Sequence, residues 1–299
     1  MNGVVLLDKP AGMTSHDCVF KVRKILKTKK VGHTGTLDPS VTGVLPICVG
    51  RATKISQFLT AEEKEYLGEV TLGFSTTTED ADGEVVEKKL VEQEITVELI
   101  EEVLKKMIGT STQTPPMYSA VKVNGKKLYE YARAGIEVER PTREVTIFEL
   151  ELLGQPIKTE EGLVKFSFRV RGSKGLYVRT VAVTMGELLG YPAHMSHLRR
   201  IGSGSITIDR CQTLEQFKQS VEEGNLQMLT IEEALVDFPS VKVDERVERL
   251  VRNGVQLYPN QVNHPTVSPF AIYSPSGECL AIYEKHPTTD MYKSVRGLF

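Results

Sequence analysis

The part of the chain best suited to chemistry is the loop around Asp38. Residues 32–46 read GHTGTLDPSVTGVLP, with three glycines and two prolines among fifteen residues. This composition excludes a regular helix or a central strand and predicts a fixed, tightly turned loop. An exposed aspartate has a pKa of about 4, so Asp38 would be ionised at neutral pH and could attack an electrophilic carbon without an activating base. The alternative is a structural turn in which Asp38 caps backbone amides.

Motifs of several other enzyme classes are missing from the sequence. It contains no GxxxxGK[ST], no GxGxxG after a strand, no GxSxG and no HExxH, so nucleotide hydrolysis, dinucleotide chemistry, serine hydrolysis and zinc proteolysis lack their parts. His194 and His197 have metal-ligand spacing but no carboxylate or thiolate neighbours, which favours a structural or RNA-facing role. The four cysteines are far apart and form no CxxC pair, as expected for small core residues. The sequence therefore predicts a reaction without metal or cofactor.

Composition describes an ordinary globular protein whose charges are unevenly distributed. The 299 residues are 40% hydrophobic, which suits one large domain with a smaller one, or two comparable domains. No apolar run approaches the roughly 18 to 20 residues of a membrane span, so we expect a cytoplasmic protein. Residues 1–60 hold nine Lys/Arg against three Asp/Glu, whereas residues 61–120 hold five against fourteen. A basic face for a phosphate backbone and an ordinary solvated surface are both compatible with this asymmetry.

Periodicity predicts the elements that position the loop. The apolar run Val4–Leu7 indicates a strand, and a helix should follow it because Thr14 and Asp17 have capping-box spacing before an apolar stripe. The segment Tyr66–Phe74 alternates as a strand, which puts Tyr66 at one end of an apolar face. The helix is basic on its outer side, and the Asp38 loop is expected between this helix and the apolar run that follows the loop.

The middle of the chain predicts more sheet and one long excursion. A helix is expected over Thr96–Ile108, with Gly109 as its stop. The segments Val145–Leu153 and Leu163–Arg171 alternate as strands with a solvated or RNA-facing side. Between the helix and these strands, Ser111–Thr142 is rich in Pro, Tyr and Lys and has no sustained period, which is typical of a functional excursion from the sheet.

The end of the chain predicts a small separate unit. A boundary is expected near Asp237–Ser240, and the short strands Phe270–Ser274 and Leu280–Lys285 follow it, joined through a Pro-Ser-Gly turn. Strands with interspersed helices, followed by a small β unit, indicate the α+β class.

Several motifs resemble, in the same order, those of the bacterial tRNA pseudouridine-55 synthases, the TruB family. The match runs from Val4 to about Arg210, and agreement of several ordered motifs is far more specific than any one of them. The matching segments are residues 7–15 (LDKPAGMTS), 32–39 (GHTGTLDP), 115–120 (PPMYSA), 125–133 (GKKLYEYAR), 173–180 (SKGLYVRT) and 197–200 (HLRR).

The resemblance implies a mixed, largely antiparallel sheet flanked by helices, the pseudouridine synthase fold. It implies a catalytic domain over residues 1–237, with an RNA-gripping insertion at about 111–142. Residues 238–299 match less well; by position they resemble a small β-rich, PUA-like RNA-binding domain, and their charge is nearly balanced, with seven Lys/Arg against six Asp/Glu.

The resemblance also implies roles for individual residues. Asp38 would be the nucleophile, Tyr66 an aromatic platform for the target base, and Tyr177 the opposite wall. Arg179 would pair with Asp38, or alternatively contact an RNA phosphate. The alternative role for Tyr66 and Tyr177 is that of ordinary core residues. The remaining implied residues are Leu198 packing near the uracil, His33 entering the RNA loop, and Lys9 supporting the site. Arg199 and Arg200, next to Leu198, could reach RNA phosphates.

The implied reaction converts uridine 55 in the T loop of tRNA to pseudouridine. The target base must be flipped out of the RNA, at an unstacking cost of a few kcal/mol. Stacking on an aromatic ring contributes roughly 1 to 3 kcal/mol and so offsets part of that cost. Attack at uracil C6 and attack at ribose C1′ both remain open. The implied partner is the tRNA T stem-loop, bound by a monomer with no cofactor, no metal and no membrane.

Two other functions are compatible with parts of the sequence. An RNA-binding or RNA-folding protein would keep Asp38 as a structural residue. A metal-dependent nuclease would use Asp8, Asp38 and the acidic loop 79–82, although these residues lack ligand spacing.

Overall fold

A computed structural model describes residues 1–60 and 63–299, and that part of the chain forms strands, α-helices and short 3₁₀ segments. The strands are β1 (Gly3–Lys9), β2 (Val31–His33), β3 (Thr42–Val49), β4 (Lys64–Leu72), β5 (Phe74–Thr76), β6 (Val85–Lys88), β7 (Gly109–Gln113), β8 (Lys122–Val123), β9 (Lys126–Lys127), β10 (Arg143–Lys158), β11 (Val164–Gly172), β12 (Ala193–Ser203), β13 (Ile206–Thr207), β14 (Ser240–Lys242), β15 (Phe270–Tyr273), β16 (Cys279–Lys285) and β17 (Tyr292–Gly297). The helices are α1 (Ser15–Leu26), α2 (Ser56–Thr60), α3 (Val97–Met107), α4 (Leu128–Arg133), α5 (Val178–Leu189), α6 (Leu214–Glu222), α7 (Ile231–Ala234) and α8 (Glu245–Arg252). The 3₁₀ segments are Gly50–Ile55, Ile208–Arg210 and Pro259–Val262.

A nine-stranded sheet forms the centre of the molecule. Its order is β1-β3-β12-β4-β11-β10-β7, with β2 added to β3 and β13 added to β12. Every pairing in it is antiparallel except that of β12 with β3, where Arg200 pairs with Gly43. Gly43 has a φ of 107°, and a Cβ there would lie 2.1 Å from the Arg200 carbonyl oxygen. The predicted mixed, largely antiparallel sheet of an α+β protein is confirmed.

Strands β1 and β3 are buried on both faces, which explains their unbroken apolar sequences. Side chains such as Val5 and Leu45 enter the main core, where α1, α3, α5 and α6 pack. Side chains such as Val4 and Val44 enter a second core on the opposite face, shared with the C-terminal sheet. The Asp38 loop therefore leaves the sheet between two well-packed layers.

The predicted helices and strands form with small shifts in their boundaries. Thr14 and Asp17 make the capping box of α1, and Thr96 caps α3, which ends at Met107, two residues before Gly109. The strand predicted from Tyr66 begins at Lys64 and ends before Gly73, whose φ is 120°. Tyr66 consequently lies near the start of β4, as expected.

The predicted excursion Ser111–Thr142 is too long at its start. Ser111–Gln113 belongs to β7, an edge strand paired with β10. This strand escaped prediction because its sequence, GTSTQ, is polar throughout and three of its five residues are exposed. The excursion proper covers residues 114–142 and contains the β8–β9 hairpin and α4.

The C-terminal sheet has the order β14-β15-β16-β17. Its strands β15 and β16 match the two predicted strands, and Gly277 turns between them with a φ of 90°. Helix α8 was not predicted, although Asp244 caps it and Val247 and Val251 bury its apolar side. The division of the chain at residues 237 and 238 stays a prediction, as does the PUA-like character of the second part.

No helix in the described ranges is both long and apolar enough to cross a membrane.

Candidate active site

The Asp38 loop connects β2 to β3 and is held by hydrogen bonds at several points. The buried Ser15 hydroxyl, in the first turn of α1, accepts from the Leu37 amide at 2.8 Å and donates to the Leu37 carbonyl. The Pro39 carbonyl accepts from the Gly12 amide and from the Lys9 ammonium, at 2.9 and 3.1 Å. Asp38 is thus fixed from both neighbouring residues, as predicted for a rigid loop. The predicted bounds of 32–46 are wrong, because residues 32–33 belong to β2 and residues 42–46 to β3, where Gly43 and Pro46 lie within an interior strand.

The carboxylate of Asp38 pairs with Arg179, from the first turn of α5. Arg179 Nε lies 3.2 Å from Asp38 Oδ2, so the contact is made through one nitrogen rather than through a bidentate fork. Among the described residues, the Asp38 carboxylate accepts no hydrogen bond from a backbone amide. The geometry therefore supports a paired carboxylate rather than a turn cap.

Arg179 is buried, with 4% of its surface exposed, and its other nitrogens are also bound. It donates to the carbonyls of Thr78 and Tyr118, both at 2.9 Å, and it lies 3.5 Å from the Asp80 carboxylate. A guanidinium with this set of partners is closed to an RNA phosphate. This geometry argues against the alternative of a phosphate contact for Arg179.

Asp80 is a site residue that the sequence reasoning missed. It lies in the acidic turn between β5 and β6, where its carboxylate accepts from the Thr78 hydroxyl at 2.5 Å and from the Asp82 amide at 3.0 Å. Its neighbour Glu79 has a φ of 64° and bonds the Thr180 hydroxyl at 2.8 Å. The Thr-x-Asp spacing in the sequence indicates such a turn. It does not indicate that Asp80 pairs with Arg179, about 100 residues further along the chain.

The pKa of Asp38 is raised above its ordinary value, mainly because burial disfavours the charged form. Arg179 opposes this shift, whereas the negative charges of Asp80 and Asp82 add to it. The structure therefore differs from the expectation of an exposed carboxyl with an ordinary pKa, because the side chain is partly covered by the surrounding protein.

This shift predicts how catalysis depends on pH. A nucleophilic Asp38 must be deprotonated, so the single-turnover rate should fall as the pH drops through a pKa higher than that of an exposed aspartate. Rates measured from pH 4 to 8, alongside RNA affinity at each pH, would locate this acid limb. Burial also raises the pKa of Glu79, so Glu79→Gln is the matched control and should leave the limb in place. If the acid limb moves in Glu79→Gln, the limb reports the ionisation of Glu79 rather than that of Asp38.

Asp38 opens into a cavity of about 380 Å³, a volume typical of small-molecule sites. Tyr66, Tyr177 and Leu198 line it, so the structure brings these three predicted residues together with Asp38 and Arg179. Neither tyrosine is fully buried, which argues against the alternative of plain core residues.

Tyr177 is held from two sides by residues that sequence reasoning did not single out. The Gln113 side chain accepts from the Tyr177 amide at 2.8 Å and donates to its carbonyl at 3.0 Å. The Arg143 guanidinium lies 4.5 Å from the centre of the tyrosine ring. The strand β7 that escaped prediction therefore positions one wall of the cavity.

Lys9 and His33 lie beside the cavity rather than in its lining. Lys9 is completely buried, and burial lowers its pKa; its ammonium binds the loop carbonyls of Pro10 and Pro39. This fits the supporting role expected of it. His33 is half-buried at the end of β2, and its pKa is lowered by burial and then by Arg200.

Two arginines that could have reached RNA phosphates are bound inside the protein. Arg199 pairs with Asp8 at 2.7 Å and donates to the Thr42 hydroxyl. Arg200 is 1% exposed and donates to the Val44 carbonyl at 2.7 Å, next to the Asp38 loop. Their place in the site is structural, and Asp8 is engaged with Arg199.

The outward side of β11 is not a basic RNA-facing surface. Arg169 pairs with Glu65, Glu149 and Glu151, and Arg171 pairs with Glu63 and Glu149. These carboxylates neutralise the cations, so this face of the sheet is a solvated ladder of ion pairs.

The predicted histidine pair is split by the fold. His194 is buried, its Nδ1 lies 3.0 Å from the Phe74 carbonyl and its ring stacks on Phe74, whereas His197 is exposed. Over residues 1–60 and 63–299, no group of His, Cys, Asp and Glu has the arrangement of a metal site.

The fold is shared with a protein of known structure. The crystal structure of a Cbf5–Nop10–Gar1 complex superimposes with a TM-score of 0.78 and 26% identity, covering 99% of this chain and 85% of that one. Residues 23–178 match the family described as TruB family pseudouridylate synthase (N-terminal domain). Residues 179–236 match the C-terminal domain of tRNA pseudouridylate synthase B. Fold and sequence thus define an enzyme of the pseudouridylate synthase class.

Relatives with the name tRNA pseudouridine synthase B make the assignment more specific. The protein of that name from Bacillus cereus (strain ATCC 10987) is 57% identical over 290 residues, which is 96% of this chain and 94% of the relative. That of Bacillus pumilus (strain SAFR-032) is 55% identical over 292 residues, with the same coverage. The chain belongs to the TruB family.

Proposed function

We propose that this enzyme isomerises uridine 55, in the T loop of tRNA, to pseudouridine, with Asp38 as the covalent nucleophile. The observation that carries the proposal is the pair of Asp38 with buried Arg179 in a cavity lined by Tyr66 and Tyr177. The names of the relatives support tRNA as the substrate class. We expect the enzyme to act as a monomer in the cytoplasm.

The target base would leave the RNA stack and enter the cavity between the two tyrosines. Stacking on the Tyr66 ring would offset much of the unstacking cost, and Leu198 would pack against the uracil. His33, beside the loop, would enter the space left in the RNA. The apolar walls would also keep water from the reacting carbon.

The chemistry requires one covalent intermediate and no cofactor. Asp38 Oδ would bond to ribose C1′, displacing the uracil through N1, or to uracil C6, after which the glycosidic bond breaks. The freed base turns, its C5 bonds to C1′, the carboxylate is released, and the hydrogen on C5 is lost as a proton. Arg179 would keep the carboxylate oriented and ionised through these steps.

The RNA would approach across the insertion and the rim of the cavity. Lys127 and Arg133 lie against the ring of Tyr129, which itself lines the cavity. Cations beside an aromatic ring at the mouth of a base pocket suit a sugar-phosphate backbone and its bases. The C-terminal sheet, proposed as a PUA-like domain over residues 238–299, would make the weaker contacts, because the seven Lys/Arg of that region are nearly balanced by six Asp/Glu.

A tritium-release assay tests the proposal. Unmodified tRNA carrying tritium at uracil C5 should release one equivalent of tritium, and a transcript with cytidine at position 55 should release none from that site. Binding without release, however long the incubation, would favour the RNA-folding alternative, and chelator-sensitive strand cleavage would favour the nuclease.

A further inference from the structure

Arg143 is a cation at the rim of the cavity that the proposed mechanism does not use. It begins β10 opposite Gln113 of β7, and it lines the cavity while staying partly exposed. Its guanidinium stacks on the Tyr177 ring with 4.5 Å between guanidinium carbon and ring centre. Arg143 therefore lies where a nucleotide in the cavity would connect to the RNA backbone.

The guanidinium of Arg143 has no acceptor in the protein. Within residues 1–60 and 63–299 it makes neither a hydrogen bond nor an ion pair, and its Nε is shielded from solvent without a partner. Arg179 and Arg200, which line the same cavity, have carbonyl or carboxylate partners. An unmatched donor on a charged group is costly to hold in place, which points to an acceptor that arrives with the substrate.

The surrounding residues hold this guanidinium in one orientation. Gln113 fixes the backbone of Tyr177, and the tyrosine ring supports the guanidinium from below. Gly175, with a φ of 84°, leaves the space beside it, since a Cβ there would lie 3.0 Å from Arg143 Nη1. A planar fork held in this way matches the geometry of a phosphate better than a flexible lysine would.

We propose that Arg143 binds a backbone phosphate directly next to the flipped uridine. This inference rests on the proposed function and adds a substrate contact to it. The contact links the nucleotide to the wall of the cavity, because the phosphate and the Tyr177 ring share one guanidinium. Lys174, which is exposed at the same rim, would contribute general attraction to RNA instead.

Methylphosphonate substitution, which removes the charge of one phosphate, tests the contact. The RNA is a T-arm stem-loop with the uncharged group 5′ of the target uridine, 3′ of it, or in the stem. Dissociation constants are measured for the Asp38→Asn protein, which prevents turnover, with and without Arg143→Gln. Lys105→Gln is the control, since Lys105 pairs with Glu101 on the exposed side of α3 and is no part of the cavity.

In the Asp38→Asn protein that retains Arg143, one of the two flanking methylphosphonates should weaken RNA binding about 10-fold. Arg143→Gln should lose about the same factor with unmodified RNA and lose nothing more with that methylphosphonate. Its salt dependence should also fall by about one unit of slope. Lys105→Gln should keep the full sensitivity.

If the affinity loss from Arg143→Gln adds to the loss from each flanking methylphosphonate, the proposal is overturned and Arg143 only supports Tyr177. Failure of the Arg143 protein to bind the stem-loop would overturn it as well. These outcomes are separate from a failure of the proposed function, which shows itself as absent tritium release by the wild-type enzyme.

Discussion

Replacement of Asp38 by asparagine is expected to abolish pseudouridine formation, with a single-turnover rate lowered at least roughly 10⁴-fold. The amide has the shape of the carboxylate but lacks the negative oxygen that bonds to the substrate in the proposed mechanism. RNA affinity should change little, because the proposed RNA contacts lie at the cavity rim. Tritium release under single-turnover conditions and filter binding of the same tRNA measure the two effects.

The fold should tolerate this substitution. Arg179 keeps the carbonyls of Thr78 and Tyr118 and the carboxylate of Asp80 when the charge of Asp38 is removed. Asp82→Asn is the matched control, since Asp82 is an exposed carboxylate of the neighbouring turn whose charge reaches Asp38 only through space. It should keep a rate close to wild type. Rapid turnover by Asp38→Asn would transfer the nucleophilic role to another group.

The Asp38 loop could be predicted from the sequence because its causes are local. Glycine and proline spacing sets the turns, and the capping box of Thr14 and Asp17 sets the start of the helix that anchors Leu37 through Ser15. The strand containing Tyr66 followed from simple alternation. Such features depend on neighbours within a few residues, and the structure confirms them with shifts of one or two positions.

The partners of the site could not be predicted from the residues alone because they come from distant segments. Asp80 and Thr78 meet Arg179 across about 100 residues, and Gln113 meets Tyr177 across 64. The pairing of Asp38 with Arg179 was expected only from the resemblance to known enzymes. Gln113 lies in a polar edge strand, where neither hydrophobic alternation nor a motif marks it.

Burial explains the remaining errors. The sequence does not tell whether a polar side chain faces solvent, so it predicts an ordinary pKa for Asp38 and RNA contacts for Arg199 and Arg200. In the folded chain the packing around Asp38 raises its pKa, and the two arginines bind Asp8 and the Val44 carbonyl. Charge alone therefore overestimated the RNA-binding surface.

Replacement of Arg179 by lysine should lower the single-turnover rate about 10² to 10³-fold while retaining the positive charge. One guanidinium contacts Asp38, Asp80 and two carbonyls through three nitrogens, and a single ammonium cannot reach all four positions. The substitution should mainly lower the rate. It should lower RNA affinity only modestly, through loss of the contact with the Tyr118 carbonyl that steadies the start of the insertion.

The surrounding charges predict a second, independent signature for Arg179. Because Arg179 is the main group that lowers the pKa of Asp38, Arg179→Met should move the acid limb of the rate to higher pH, whereas Arg179→Lys should move it less. Removing one partner of a buried ion pair costs roughly 3 to 5 kcal/mol, so urea unfolding must show that both variants are folded under assay conditions. Arg171→Lys, in the exposed ladder of β11, is the control and should keep both rate and limb. A full rate in Arg179→Lys would mean that only the charge matters, and an unmoved limb in Arg179→Met would separate Arg179 from the ionisation of Asp38.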